Sequence, residues 1–161
     1  MSETTTPWAP TNKVHAQFET LLQGMADRHA FTDLNATGFD AFVSAPGLAA
    51  ILFVEDPARH PEVWDVAVVL PEVLASLRAP VRGGFARPDA AAQWHLRYGF
   101  TRWPAVVFLR AGEYIGCIEG MRDWTDYVER VGAMLARPVS RAPSVGIPVR
   151  AESPRSSSTC G

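Results

Sequence analysis

Four carboxylates fall within eleven residues, Glu55, Asp56, Glu62 and Asp65, relieved only by Arg59 and His60. Carboxylates at this density suit one of two roles. In the first they are solvated side chains at a helix start, where negative charge meets the positive end of the helix dipole. In the second they form a docking surface for a cationic peptide, since carboxylates steer and orient basic partners. Covalent chemistry has fewer candidates. The chain holds two cysteines, Cys117 and Cys160, and no CxxC, so dithiol exchange has no reactive pair. Cys117 sits inside an apolar run and reads as a small buried hydrophobe, and Cys160 has no neighbouring base. His15, His29, His60 and His95 are scattered, and none shares a metal-ligand spacing with a cysteine. A phosphate-cradling GxxxxGK[ST] loop is absent. These patterns predict no catalytic residue, no metal and no cofactor.

The elements that must position these groups follow from periodicity. Val14, Phe18, Leu21, Leu22 and Met25 recur at helical spacing after Thr11 and Asn12, which predicts an amphipathic first helix. His29 to Leu34 reads as a short strand, and Thr37 to Ser44 as a short helix with Phe39, Phe42 and Val43 turned inward. Leu48 to Val54 is a continuous apolar run, the signature of a strand covered on both faces. It ends abruptly in Glu55-Asp56-Pro57, where the acidic turn begins. Glu62 to Leu77 carries Val63, Val66, Leu70, Val73, Leu74 and Leu77 on one stripe, with Pro71 inside it, so a kink is expected. Val81 to Ala86 is a modest strand weakened by Gly83-Gly84. Asp89 is the expected cap of a helix with Ala91, Trp94, His95 and Tyr98 on one face. Ala105 to Leu109 is a second buried strand, opened by Pro104 and joined through Ala111-Gly112 to a strand over Tyr114 to Ile118. Asp123 caps a last helix with the stripe Trp124, Tyr127, Val128, Val131 and Leu135. The alternation is α/β with a mixed sheet.

At 161 residues and 47% hydrophobic content the chain makes one soluble domain. Its apolar runs are far shorter than the ~20 residues a membrane span needs. The start, Met1 to Pro10, has neither a basic end nor an apolar core, which places the protein in the cytoplasm. Beyond Pro138 the chain is rich in proline and serine and poor in bulky apolar residues, so Val139 to Gly161 is expected to be a disordered tail. Residues 1–13 are expected to be a flexible lead-in, and 14–138 the folded domain. Four arginines against one glutamate give residues 137–161 a charge of +3, so the other 136 residues, with 11 basic and 16 acidic groups, carry −5. An acidic body argues against nucleic acid as a partner and for a basic peptide.

The stretch from Tyr98 to Gly120, YGFTRWPAVVFLRAGEYIGCIEG, resembles the C-terminal half of the thioredoxin fold. The resemblance covers roughly residues 14 to 136. It implies a central sheet of four to five strands flanked by helices, a cis Pro104, and a loop that faces the active site of that fold. Counting back from Pro71 by the family's spacing, the thiol positions are occupied by Val63 and Val66. More narrowly, FVED-P-R-PE-D before a helix containing LPEVL, then RWPAVVF, then GMRDW, resembles the hydrogenase-expression accessory family of HyaE, HupG and HoxO type. That resemblance implies a chaperone without redox activity in the maturation of membrane-bound uptake [NiFe] hydrogenases, binding the small-subunit precursor and its twin-arginine signal. The expected partner-binding residues are Glu55, Asp56, Glu62 and Asp65 with Arg102, Trp103 and Pro104. Two alternatives stand beside it: a monothiol redox or peroxide-handling protein using Cys117 or Cys160, and an assembly scaffold for another accessory protein.

Overall fold

A computed structural model describes residues 13–35 and 37–143, except the side chains of 91–93. Helix α1 (Lys13–His29) leads into β1 (Thr32–Leu34), α2 (Phe39–Ser44), β2 (Leu48–Phe53), α3 (Glu62–Ser76), β3 (Val81–Ala86), α4 (Pro88–Tyr98), β4 (Ala105–Arg110), β5 (Glu113–Glu119) and α5 (Trp124–Leu135). The five strands form one sheet in the order β1-β3-β2-β4-β5. β3 pairs in parallel with β1 and β2, whereas β4 runs antiparallel to β2 and to β5. This is the α/β thioredoxin-like fold.

Strand alternation divides the interior into two cores. Ala50, Leu52 and Val54 point to one face with Val106 and Phe108, under α1, α3 and α5. Ala49, Ile51 and Phe53 point to the other with Val107 and Leu109, under α2 and α4. Because both faces are covered, β2 and β4 need the continuous apolar runs that mark them in the sequence. The turn after β4 has positive φ at Ala111 as well as Gly112, the pairing a two-residue hairpin of this hand requires.

Several local expectations shift. The strand expected from His29 starts at Thr32, because α1 continues through His29. Its buried row is His15, Phe18, Leu22 and Met25, while Val14 is exposed. Asp89 is not a cap: α4 begins at Pro88, whose fixed φ suits a first helical position, and Arg87 holds the cap position. Asp123 occupies the cap position of α5 without a side-chain cap bond. Trp124 leaves the core stripe at 48% exposure, and Met134 completes the row with Tyr127 and Val131. Gly83, read as a weak point, makes room: a Cβ there would come within 2.5 Å of the Phe31 ring.

The folded body also runs past Pro138. Arg110 donates to the carbonyls of Leu135 and Arg137, the Ser140 amide donates to the Tyr114 carbonyl at 2.7 Å, and Val139 and Ala142 pack on the first and second cores. Residues 139–143 therefore belong with the domain. The remainder of the expected tail lies outside the described residues, as does the lead-in before Lys13.

Candidate functional site

The chain leaves the sheet at Val54, whose amide donates to the Ala86 carbonyl, and turns immediately. Asp56 organises that turn. Its Oδ1 accepts from the Ala58 amide and stands 2.9 Å from His15 Nε2, while its carbonyl accepts from the Arg59 and His60 amides. Burial pushes the Asp56 carboxyl up, but the Ala58 amide, His15 and Arg59 outweigh it and hold the group below its ordinary value. Glu55 folds back so that its Oε1 accepts the Asp56 amide. Helix α3 then begins at Glu62, with Pro61 before it in helical φ and ψ.

Facing this helix start is the loop before β4. The Trp103–Pro104 peptide is cis, as the resemblance implies. The Gly120 amide donates to the Pro104 carbonyl at 2.7 Å, and the Thr101 amide donates to Glu119 Oε1 at 3.0 Å, so both ends of the loop are tied to β5. Trp103 stands edge-on to Phe100 with ring centroids 4.9 Å apart, leaving it half-buried. Between the two segments lies an open cavity of about 380 Å³, lined by residues 59–62 on one side and 101–103 on the other.

The expected site residues are thus divided. Glu62, Arg102 and Trp103 meet in the cavity, with Pro104 buried behind them. Glu55 and Asp56 are half-buried, do not line it, and serve the turn itself. Asp65 lies one turn further along α3, exposed and outside the lining. Sequence reasoning missed His15, whose partner is 41 residues away, and it treated Arg59 merely as relief for the acidic turn.

Val63 and Val66, at the positions the resemblance gives to thiols, are 0% and 1% exposed and belong to the first core. Cys117 is half-buried on β5 against the second core. Burial, with the Glu119 charge, pushes its thiol up to about 12, so it is a neutral thiol near pH 7 and a poor nucleophile. Cys160 lies outside the described residues. Among the described residues, no group of three His, Cys, Asp or Glu side chains is placed to hold a metal ion, and no helix is long and apolar enough to cross a membrane.

Fold and site together define a thioredoxin-like protein with buried valines at the thiol positions of that fold and a cavity beside the cis proline lined by charged and aromatic side chains. The family model described as Hydrogenase-1 expression protein HyaE matches residues 21–127, and the chain belongs to this family. It is 38% identical over 131 residues to the hydrogenase expression/formation protein HoxO of Cupriavidus necator, covering 80% of this chain and 81% of that one. The HoxO protein of Azotobacter vinelandii is 37% identical over 116 residues, covering 72% and 78%. Hydrogenase expression/formation protein HupG of Bradyrhizobium diazoefficiens is 35% identical over 127 residues, covering 76% and 85%. A crystal structure assigned to HupG of Rhodopseudomonas palustris aligns at 27% identity with a TM-score of 0.47, over 65% of this chain and 95% of that one.

Proposed function

We infer that this protein is a non-enzymatic chaperone in the cytoplasmic maturation of a membrane-bound [NiFe] uptake hydrogenase, where it binds the small-subunit precursor and its twin-arginine signal. Membership of a family named for hydrogenase expression supports the pathway. The observation that carries the mode of action is the cavity beside Pro104: it has a helix start, an indole and charged side chains, but valines at the thiol positions. Such a surface holds a peptide without reducing it. Backbone groups beside Pro104 pair with an extended client segment, Trp103 packs against it, and Glu62 and Asp65 meet guanidinium groups of the signal through parallel charge-assisted hydrogen bonds. Glu55 and Asp56 shape the turn that presents them.

Pull-down of a hydrogenase small-subunit precursor, made with and without its signal peptide, tests this reading. Enrichment of the signal-bearing form is expected, and failure to enrich either form overturns it.

A further inference from the structure

The cavity that holds Glu62 is, in its other charges, basic. Arg59 and Arg102 line it from opposite segments, and His60 stands beside them. Glu62 is the lining's carboxylate, so a single acidic group faces two guanidinium groups. Six other arginines are engaged, while Arg28, Arg78, Arg137 and Arg141 stand exposed on other parts of the surface. Arg87, Arg97, Arg122 and Arg130 pair with carboxylates, and Arg82 and Arg110 donate to backbone carbonyls. Arg59 acts on Asp56 through its charge but, like Arg102, lies within ion-pair distance of no carboxylate among the described residues. Both guanidinium groups are exposed. Two planar donors that line one hollow from opposite segments, with the Trp103 indole beside them, suit a planar anion.

We propose that this cavity is a carboxylate subsite: Arg59 and Arg102 take an Asp or Glu side chain from the interior of an extended protein segment that lies across the loop before β4. The proposal deepens the chaperone reading and rests on it for the extended segment. Charge complementarity selects the occupant, since an arginine-only segment would bring like charge to two of the lining residues, whereas an acidic side chain is matched by donors from both walls. A volume of about 380 Å³ admits a side chain with its adjoining backbone and not a folded element. Client recognition then has two signs. Cations are met on the α3 side by Glu62 and Asp65, and an anion is met between Arg59 and Arg102. A partner carrying both signs in one extended stretch is selected over one that is merely basic.

The test uses the full chain, ¹⁵N-labelled, titrated with three synthetic nonapeptides of alternating valine and threonine. The first has a central glutamate and blocked ends, the second a central glutamine and blocked ends, and the third a central glutamine with a free C-terminal carboxylate. The Trp103 indole N–H and the backbone amides of residues 59–62 and 101–103 report binding. The glutamate peptide is expected to bind about fivefold or more tightly than either glutamine peptide. That preference is expected to vanish in Arg59→Gln and in Arg102→Gln, both exposed positions where the fold is retained. Equal binding of the blocked peptides, absence of carboxylate-dependent binding at millimolar peptide, preference for the free C-terminus, or a glutamate preference that survives both substitutions overturns the subsite. The precursor pull-down is read separately: capture of the precursor without a carboxylate preference sinks the subsite alone, and a carboxylate preference without capture sinks the chaperone reading alone.

Discussion

Arg87 and Arg102 carry the same side chain and sit in opposite circumstances. Arg87, just past β3, is enclosed by carboxylates: Nε and Nη2 each lie 2.9 Å from the two oxygens of Glu19 on α1, and Nη1 pairs with Asp33 on β1. The Glu19 hydrogen bonds come first among the causes that raise its proton affinity further, against the cost of burial. Arg102, in the loop before the cis proline, is exposed and meets no carboxylate among the described residues. The difference separates two uses of charge. Along α1, polar side chains are consumed by the fold, as Glu19 holds Arg87 and His15 holds Asp56. Around the cavity, polar side chains are left with valence for a partner.

The largest expected effect tests the first use. Arg87→Ala leaves Glu19 and Asp33 facing each other without their shared cation and is expected to cost roughly 2–3 kcal/mol of stability in urea unfolding. Arg102→Ala is expected to cost under about 0.5 kcal/mol, as exposed substitutions do. A similar loss for both would erase the distinction.

Next in size is the second use. Changing Glu62→Gln and Asp65→Asn together is expected to weaken binding of a signal-bearing precursor by roughly 1–3 kcal/mol, the scale of hydrogen bonds to charged groups, with the circular dichroism spectrum unchanged. Rising salt is expected to weaken the wild-type interaction more than that of the variant, because exposed pairs are screened over a Debye length of about 8 Å. Equal affinity and equal salt dependence in calorimetry would reduce both carboxylates to solvated helix-start residues.

Asp56 sharpens the boundary between the two uses, since it belongs to the acidic turn yet serves the fold. Asp56→Ala is expected to destabilise by about 1–2 kcal/mol, with a smaller loss of precursor affinity than the paired Glu62→Gln and Asp65→Asn change causes. The sign with pH follows from its lowered carboxyl: the stabilisation is full above the ordinary value of 3.8 and disappears as pH falls through the lowered value. The stability gap between wild type and variant therefore closes in acid. A gap that stays constant from pH 6 to pH 2 would mean that Asp56 acts through shape alone.

A smaller effect concerns residues 139–143. Ending the chain after Pro138 is expected to lower stability by about 1 kcal/mol relative to ending it after Pro143, through loss of the Ser140–Tyr114 bond and the Val139 contact. Coincident thermal midpoints would return the boundary to Pro138. Smallest of all, Cys117→Ala is expected to leave precursor binding unchanged. With its thiol pushed up to about 12, alkylation at pH 8 is expected to run about tenfold or more slower than in the unfolded chain. Rapid alkylation of Cys117 in the folded protein would reopen the thiol alternative.

By itself the sequence determined the elements that depend on near neighbours. Two uninterrupted apolar runs mark β2 and β4 because a strand covered on both faces needs apolar residues at every position, and that requirement is local. The helical stripes of α3 and α5 and the hairpin at Ala111-Gly112 are local in the same sense, and the valines at Val63 and Val66 were legible as a site without thiols once the resemblance fixed their place. Tertiary structure decided what each charge does. Nothing in the spacing of Asp56 distinguishes it from Glu62, but packing α1 against the sheet brings His15 to the first, while the loop before β4 opens a cavity beside the second. It likewise turned Gly83 from a weak point into space for Phe31 and lifted Trp124 out of the stripe its spacing suggested. Periodicity records which side of an element is apolar, whereas the partner of a polar group depends on which distant element is packed beside it, and that is settled only when the chain has closed on itself.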